Sequence, residues 1–222
     1  MINSAYTLTI LQSILLCAGY FLCMLCYTIL DMGVWRKITP NISVWLNIFT
    51  IILFNLVFFL LISNKVSYKL NILGGISFLK ILLAMLCSIL FYFALDKCLD
   101  PIFEHLFPVS EIKYQDTITR LKQSPVTSFM LVCIIAPVVE EILIRGFILT
   151  GLQNEYGNFI ALVVSAILFA LLHFNMVQTI SAFICGLVLG LLYIKTDSIF
   201  CCIVTHSGYN IISYLKMILP LN

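Results

Sequence analysis

The sequence predicts an all-α fold, a polytopic transmembrane helical bundle of about seven spans. Three observations carry this. The chain is 62% hydrophobic and only 10% charged, whereas a soluble domain runs near 25% charged. Apolar runs long enough to cross a bilayer recur along most of its length. The stretches between them are short and hold the Gly, Pro, Lys and Arg residues expected of connectors. A net charge of +2, with no basic cluster and no phosphate-binding glycine loop, points to no nucleic-acid partner.

The first apolar run covers Leu8 to Leu30. Met1 to Tyr6 carry no Lys or Arg, and the run exceeds a signal-peptide core, so it reads as an uncleaved first span. Gly33, Arg36, Lys37 and Pro40 mark the connector that follows. The second span is Val44 to Ile62, in which Asn47 and Asn55 read as interhelical hydrogen-bonders. Ser63 to Lys80 is a polar connector with a Gly74-Gly75 break. The third span, Ile81 to Leu99, ends with Asp96 and Lys97, placed to reach the membrane interface.

Asp100 to Ser124 is the one long polar stretch, and it predicts an amphipathic interfacial helix followed by a loop. The fourth span is Phe129 to Leu149, with a turn over Gly151–Gly157. Phe159 to His173 and Val177 to Ile194 form the fifth and sixth spans. Lys195 to Asp197 turn the chain into the seventh, Ser198 to Ile218. The chain divides into N-terminal transmembrane helices (1–100), a polar connector (101–125) and a membrane core carrying the candidate chemistry (126–218). The nine cysteines have neither metal-ligand nor secreted-framework spacing, and read as small packing residues.

The fourth span holds Glu140, Glu141 and Arg145 in an otherwise apolar setting. A charge at the bilayer centre costs roughly 2.5–3.5 kcal/mol, so three unpaired charges would cost about 8–10 kcal/mol, comparable to the stability of a whole domain. Glu141 and Arg145, at i and i+4, share a helix face and can pair. Glu140 lies about 100° round the helix, without that cation. An unpaired carboxylate in such a place suits proton transfer.

Of the three histidines, His105 falls in the polar connector. His173 ends the fifth span, after Phe169-Ala-Leu-Leu. His206 and Asn210 stand at i and i+4 on the seventh, around Gly208. Bringing Glu140, His173, His206 and Asn210 together solves the burial problem of all four. An acid or base, an imidazole and hydrogen-bond donors also have complementary chemical roles.

In order and spacing, Glu140-Glu141-xxx-Arg145, Phe169-xxx-His173 and His206-xxx-Asn210 resemble the three motifs of the CAAX protease and bacteriocin-processing family. These are intramembrane endopeptidases, and the family includes the type II CAAX prenyl endopeptidases and bacteriocin self-immunity proteins. The resemblance spans roughly residues 126–212. It implies a catalytic site within the membrane that hydrolyses a peptide bond of a membrane-associated peptide or protein. Glu140 and His173 would activate water, and His206 and Asn210 would donate to the oxyanion. Glu141 and Arg145 would be structural support. No cofactor is expected. The alternative is a zinc site made by Glu140, His173 and His206, but there is no His-Glu-x-x-His pattern and Asn210 suits an oxyanion donor better than a metal ligand. The expected surroundings are a lipid bilayer, with a bacterial cell membrane favoured. Two competing readings are a non-catalytic scaffold or immunity protein and a proton-coupled carrier.

Overall fold

A computed structural model of the chain describes residues 6–39, 42–66, 68–173 and 176–219. The described residues are almost entirely helical, with no strand. They form α1 (Ile10–Ile38), α2 (Ser43–Val66), α3 (Phe78–Leu106) and α5 (Pro125–Leu171), together with α4 (Pro108–Gln123), α6 (Met176–Thr196) and α7 (Ile199–Ile218). Helices α1, α2, α3, α5 and α6 contain stretches long and apolar enough to cross a membrane, and the chain is an integral membrane protein.

Local sequence sets where these helices begin. At α1, Thr9 Oγ1 accepts from the Gln12 amide at 3.2 Å while Gln12 Oε1 accepts from the Thr9 amide at 2.8 Å, a reciprocal cap. Ser77 and Ser198 cap α3 and α7. Pro108 and Pro125 occupy the first turns of α4 and α5, where a missing N–H costs nothing.

The fourth and fifth expected spans are the two arms of α5. Gly157, at φ 79° and ψ 174°, breaks the helix between them in a conformation open to glycine but costly for other residues. The arms run antiparallel: Arg145 meets Phe169, and Leu149 and Leu162 both reach the Gly190 position. The expected turn over 151–157 is therefore wrong in extent, because residues 151–156 are helical. Gly151 serves packing instead. A Cβ there would stand 2.7 Å from Leu8 Cγ, and the Leu8 amide donates to Gly151 O at 3.0 Å. The expected loop before Ser124 is also absent, since α4 runs to Gln123.

One buried core draws on Tyr20 of α1, Leu95 of α3, Leu143 and Phe169 of α5, Leu189 of α6 and Cys202 of α7. Without a hydrophobic drive between helices in lipid, close backbone approach and interhelical hydrogen bonds must supply cohesion. Both are present. A Cβ on Gly186 of α6 would sit 3.1 Å from the Ala166 backbone. Between α3 and α7, Ser88 donates to Thr205 O and Thr205 to Ala84 O, each at 3.0 Å. These two seams hold α6 against α5 and α7 against α3.

Candidate active site

Glu140 and Glu141 are consecutive on a helix, so they point to different surroundings. Glu141 turns into the core. Its side chain and that of Arg145 are both fully buried, and Arg145 Nη1 donates to Glu141 Oε1 at 3.0 Å. Arg145 Nη2 donates to Gly186 O at 3.1 Å, and the guanidinium lies 4.9 Å from the centre of the Phe169 ring. A carboxylate, a carbonyl and an aromatic face together offset the cost of burying this cation.

Glu141 has a second partner. His206 Nδ1 donates to the same Oε1 at 2.9 Å. That bond places a proton on Nδ1 and directs Nε2 towards Glu140, whose Oε2 is 3.9 Å away. The Glu140 side chain is 19% exposed and lines a cavity of about 690 Å³.

His173 lies just beyond the end of α5. Its Nδ1 stands 3.2 Å from Phe169 O. A carbonyl can only accept, so Nδ1 carries the proton and Nε2 of the neutral ring keeps its lone pair. Thr179 of α6 donates to His173 O at 2.8 Å, which anchors the residue to the next helix. The Phe169 ring meets the rings of His173 and His206 edge-on, with centroids 5.2 and 5.8 Å away. Asn210 donates one amide N–H to Val132 O at 2.9 Å. A primary amide has a second.

Glu140, His173, His206 and Asn210 all line the cavity. Glu140 and His206 come within 3.9 Å of each other, and the Phe169 ring contacts both His173 and His206. The zinc alternative would use the Nε2 atoms of His173 and His206 with Glu140. Among the described residues no three His, Cys, Asp or Glu side chains gather as a metal-holding group, while the Nδ1–H of His206 held by Glu141 leaves Nε2 as the nitrogen facing the cavity.

Several cavity residues escape the sequence reading. Asp96 does not reach for the interface. It accepts from Tyr209 and Ser213 of α7, both at 2.7 Å. Asp100 accepts from Ser181 of α6 at 2.5 Å. The i, i+4 spacing of Asp96 with Asp100, and of Tyr209 with Ser213, was the available signal. Tyr114 of α4 also lines the cavity. Burial, reinforced by Asp100, Asp96, Glu111 and Glu104, pushes its hydroxyl up to about 12. Phe169 sits where Arg145, His173 and His206 converge, a position visible only once the arms of α5 fold together.

Residues 122–212 match the family model described as Type II CAAX prenyl endopeptidase Rce1-like. The matched stretch includes Glu140, Glu141, Arg145, His173, His206 and Asn210. No curated protein and no solved structure matches the chain.

Proposed function

We propose, from the match of residues 122–212 to the Type II CAAX prenyl endopeptidase Rce1-like family model, that the protein is an intramembrane endopeptidase acting on a membrane-associated peptide or protein. The observation that supports this best is the setting of Glu140. It faces a cavity large enough for a peptide segment, 3.9 Å from an imidazole, while its neighbour Glu141 holds the far side of that imidazole.

In this mechanism Glu140 and the Nε2 lone pair of His173 orient a water molecule. Glu140 takes a proton as the water oxygen bonds to the peptide carbonyl carbon. The carbonyl oxygen becomes an oxyanion, which accepts from the second N–H of Asn210 and from His206 Nε2 in the imidazolium form. The C–N bond then breaks and Glu140 returns the proton to the leaving amine. General acid–base catalysis of this kind contributes about 10²–10⁴-fold, and a fixed oxyanion donor about 2.7–4 kcal/mol. No step of this mechanism is routed through a metal. Bacteriocin self-immunity and peptide maturation are the two roles that the resemblance offers for such an activity.

The test uses reconstituted protein and a membrane-associated peptide. Glu140→Gln and His173→Ala should each lower cleavage at least about 10²-fold with the fold intact by circular dichroism. Full cleavage by both variants sinks the proposal.

A further inference from the structure

Helix α3 lies outside the stretch that matches the family model, yet it grips the helix that carries His206 and Asn210. Asp96 Oδ1 accepts from the Tyr209 hydroxyl and Asp96 Oδ2 from the Ser213 hydroxyl, each at 2.7 Å. Both oxygens of one carboxylate are thus spent on consecutive turns of α7. Tyr209 and Ser213 stand at i+3 and i+7 from His206, on the same side of the helix. His206, Tyr209, Asn210 and Ser213 all line the cavity.

Two features of Asp96 point beyond stability. It sits in Phe93–Leu99, where α3 widens into π-helical turns, a local irregularity that is frequent at functional sites. Among the described residues no Lys or Arg pairs with its carboxylate. An ionisable group held in a membrane span by hydroxyls alone is a costly way to join two helices. The magnitudes favour a role in the site. Side-chain tips lie roughly 5–6 Å from a helix axis, so turning α7 by about 10° moves them by about 1 Å. A misplacement of that size can cost about 10²-fold in rate. Ser88 and Thr205 already join α3 to α7 near the start of α7, and Asp96 adds a hold further along, level with Asn210. The bond from Asn210 to Val132 O sets that side chain, whereas Asp96 sets the helix beneath it.

We propose that Asp96 is a positioning residue, which through Tyr209 and Ser213 fixes the rotation of α7 and so the places of the His206 and Asn210 donors. This rests on the endopeptidase reading for the reaction it serves. Asp96 also borders the cavity, so a direct contact with a cationic substrate group is the rival role.

The test uses full-length protein in lipid nanodiscs with two readouts. One is cleavage of a membrane-associated peptide. The other is nitrogen NMR of isotope-labelled histidine side chains, in which His206 Nδ1, bonded to Glu141, reports movement of α7. Asp96→Leu should shift the His206 signal and lower kcat about 10²-fold, with KM within about twofold. Tyr209→Phe keeps the ring against Phe91 and should lower kcat about 10-fold, the loss of one hydrogen bond. Adding it to Asp96→Leu should cause no further loss, because both remove the same bond. Asp96→Asn should rescue kcat to within about threefold, since a carboxamide accepts from one hydroxyl and donates to the other. Thr50→Val is the stability control. It removes the acceptor of Trp35 Nε1 and should lower Tm by about 2–4 °C, with kcat and the His206 signal unchanged. If Asp96→Leu does not fold, Tyr209→Phe and Asp96→Asn carry the test. Parent-like kcat in Tyr209→Phe, losses that multiply in the double variant, a stationary His206 signal, or a raised KM in Asp96→Asn overturns the proposal. If the unmutated protein cleaves no peptide, the endopeptidase reading falls and the histidine signal decides alone. A shift in Asp96→Leu but not in Thr50→Val then keeps Asp96 as the residue that sets α7, and no shift overturns it.

Discussion

His206 and Glu141 are joined by a 2.9 Å hydrogen bond from Nδ1 to Oε1, although 65 residues separate them in sequence. The same oxygen takes Arg145 Nη1 at 3.0 Å. One buried carboxylate thus orients a cavity-facing imidazole and neutralises a buried guanidinium. Removing Arg145 should therefore damage both fold and site. Arg145→Leu leaves Glu141 buried without its cation, at a cost of about 3–5 kcal/mol. The expected outcome is sharply reduced yield and a Tm drop of roughly 6–20 °C. The double variant Glu141→Gln/Arg145→Gln, with no net buried charge, should recover much of the Tm but not the cleavage rate, because His206 loses its anionic partner. Thermal melts and rate assays on both proteins check this.

Glu140 should behave in the opposite way. It is partly exposed to the cavity and holds no buried cation, so Glu140→Gln removes charge without stranding a partner. Tm should stay within about 2 °C of the parent, a shift below the equivalent of 1 kcal/mol, while cleavage is lost. A large Tm fall would show that Glu140 stabilises the fold in a way this geometry does not contain.

Much of this was legible in the sequence. Each of the seven apolar segments is helical, and the four candidate residues line one cavity, because an isolated polar side chain in an apolar run has few other places to go. The i, i+4 pairing of Glu141 with Arg145 was likewise readable from helix geometry. The hydrogen bond from His206 to Glu141 was not, because it depends on how α7 packs against α5. Asp96 misled for the same reason: near a span end it looks free to snorkel, but Tyr209 and Ser213 arrive from α7 to satisfy it. Gly151 misled because glycine serves close packing as well as turns. Here it admits Leu8, and the chain reverses only at Gly157.

Chelation gives a direct check on the metal-free mechanism. With no three-ligand group among the described residues, exhaustive treatment with a strong zinc chelator should leave the cleavage rate within about twofold, since loss of a required catalytic metal removes several kcal/mol of transition-state stabilisation. Loss of activity that added zinc restores would move Glu140, His173 and His206 back to the role of ligands.

Phe169 tests whether the site depends on its packing as well as its polar atoms. The ring is 1% exposed and stands between the Arg145 guanidinium and the rings of His173 and His206. Phe169→Ala should cost about 3–5 kcal/mol through the cavity it leaves, and it also removes the surface that sets the spacing of the two imidazoles. Phe169→Leu keeps most of the volume and should cost less than about 1.5 kcal/mol, yet it loses the cation–π contact and both edge-on ring contacts. The informative comparison is therefore Phe169→Leu. Its Tm should remain close to the parent while kcat falls by roughly 10-fold or more, the order expected when reacting groups shift by a fraction of an ångström. KM should be little changed, because the other residues that line the cavity are untouched. A parent-like kcat in Phe169→Leu would mean that the two histidines hold their positions without the ring, through Glu141 for His206 and the Thr179 contact for His173.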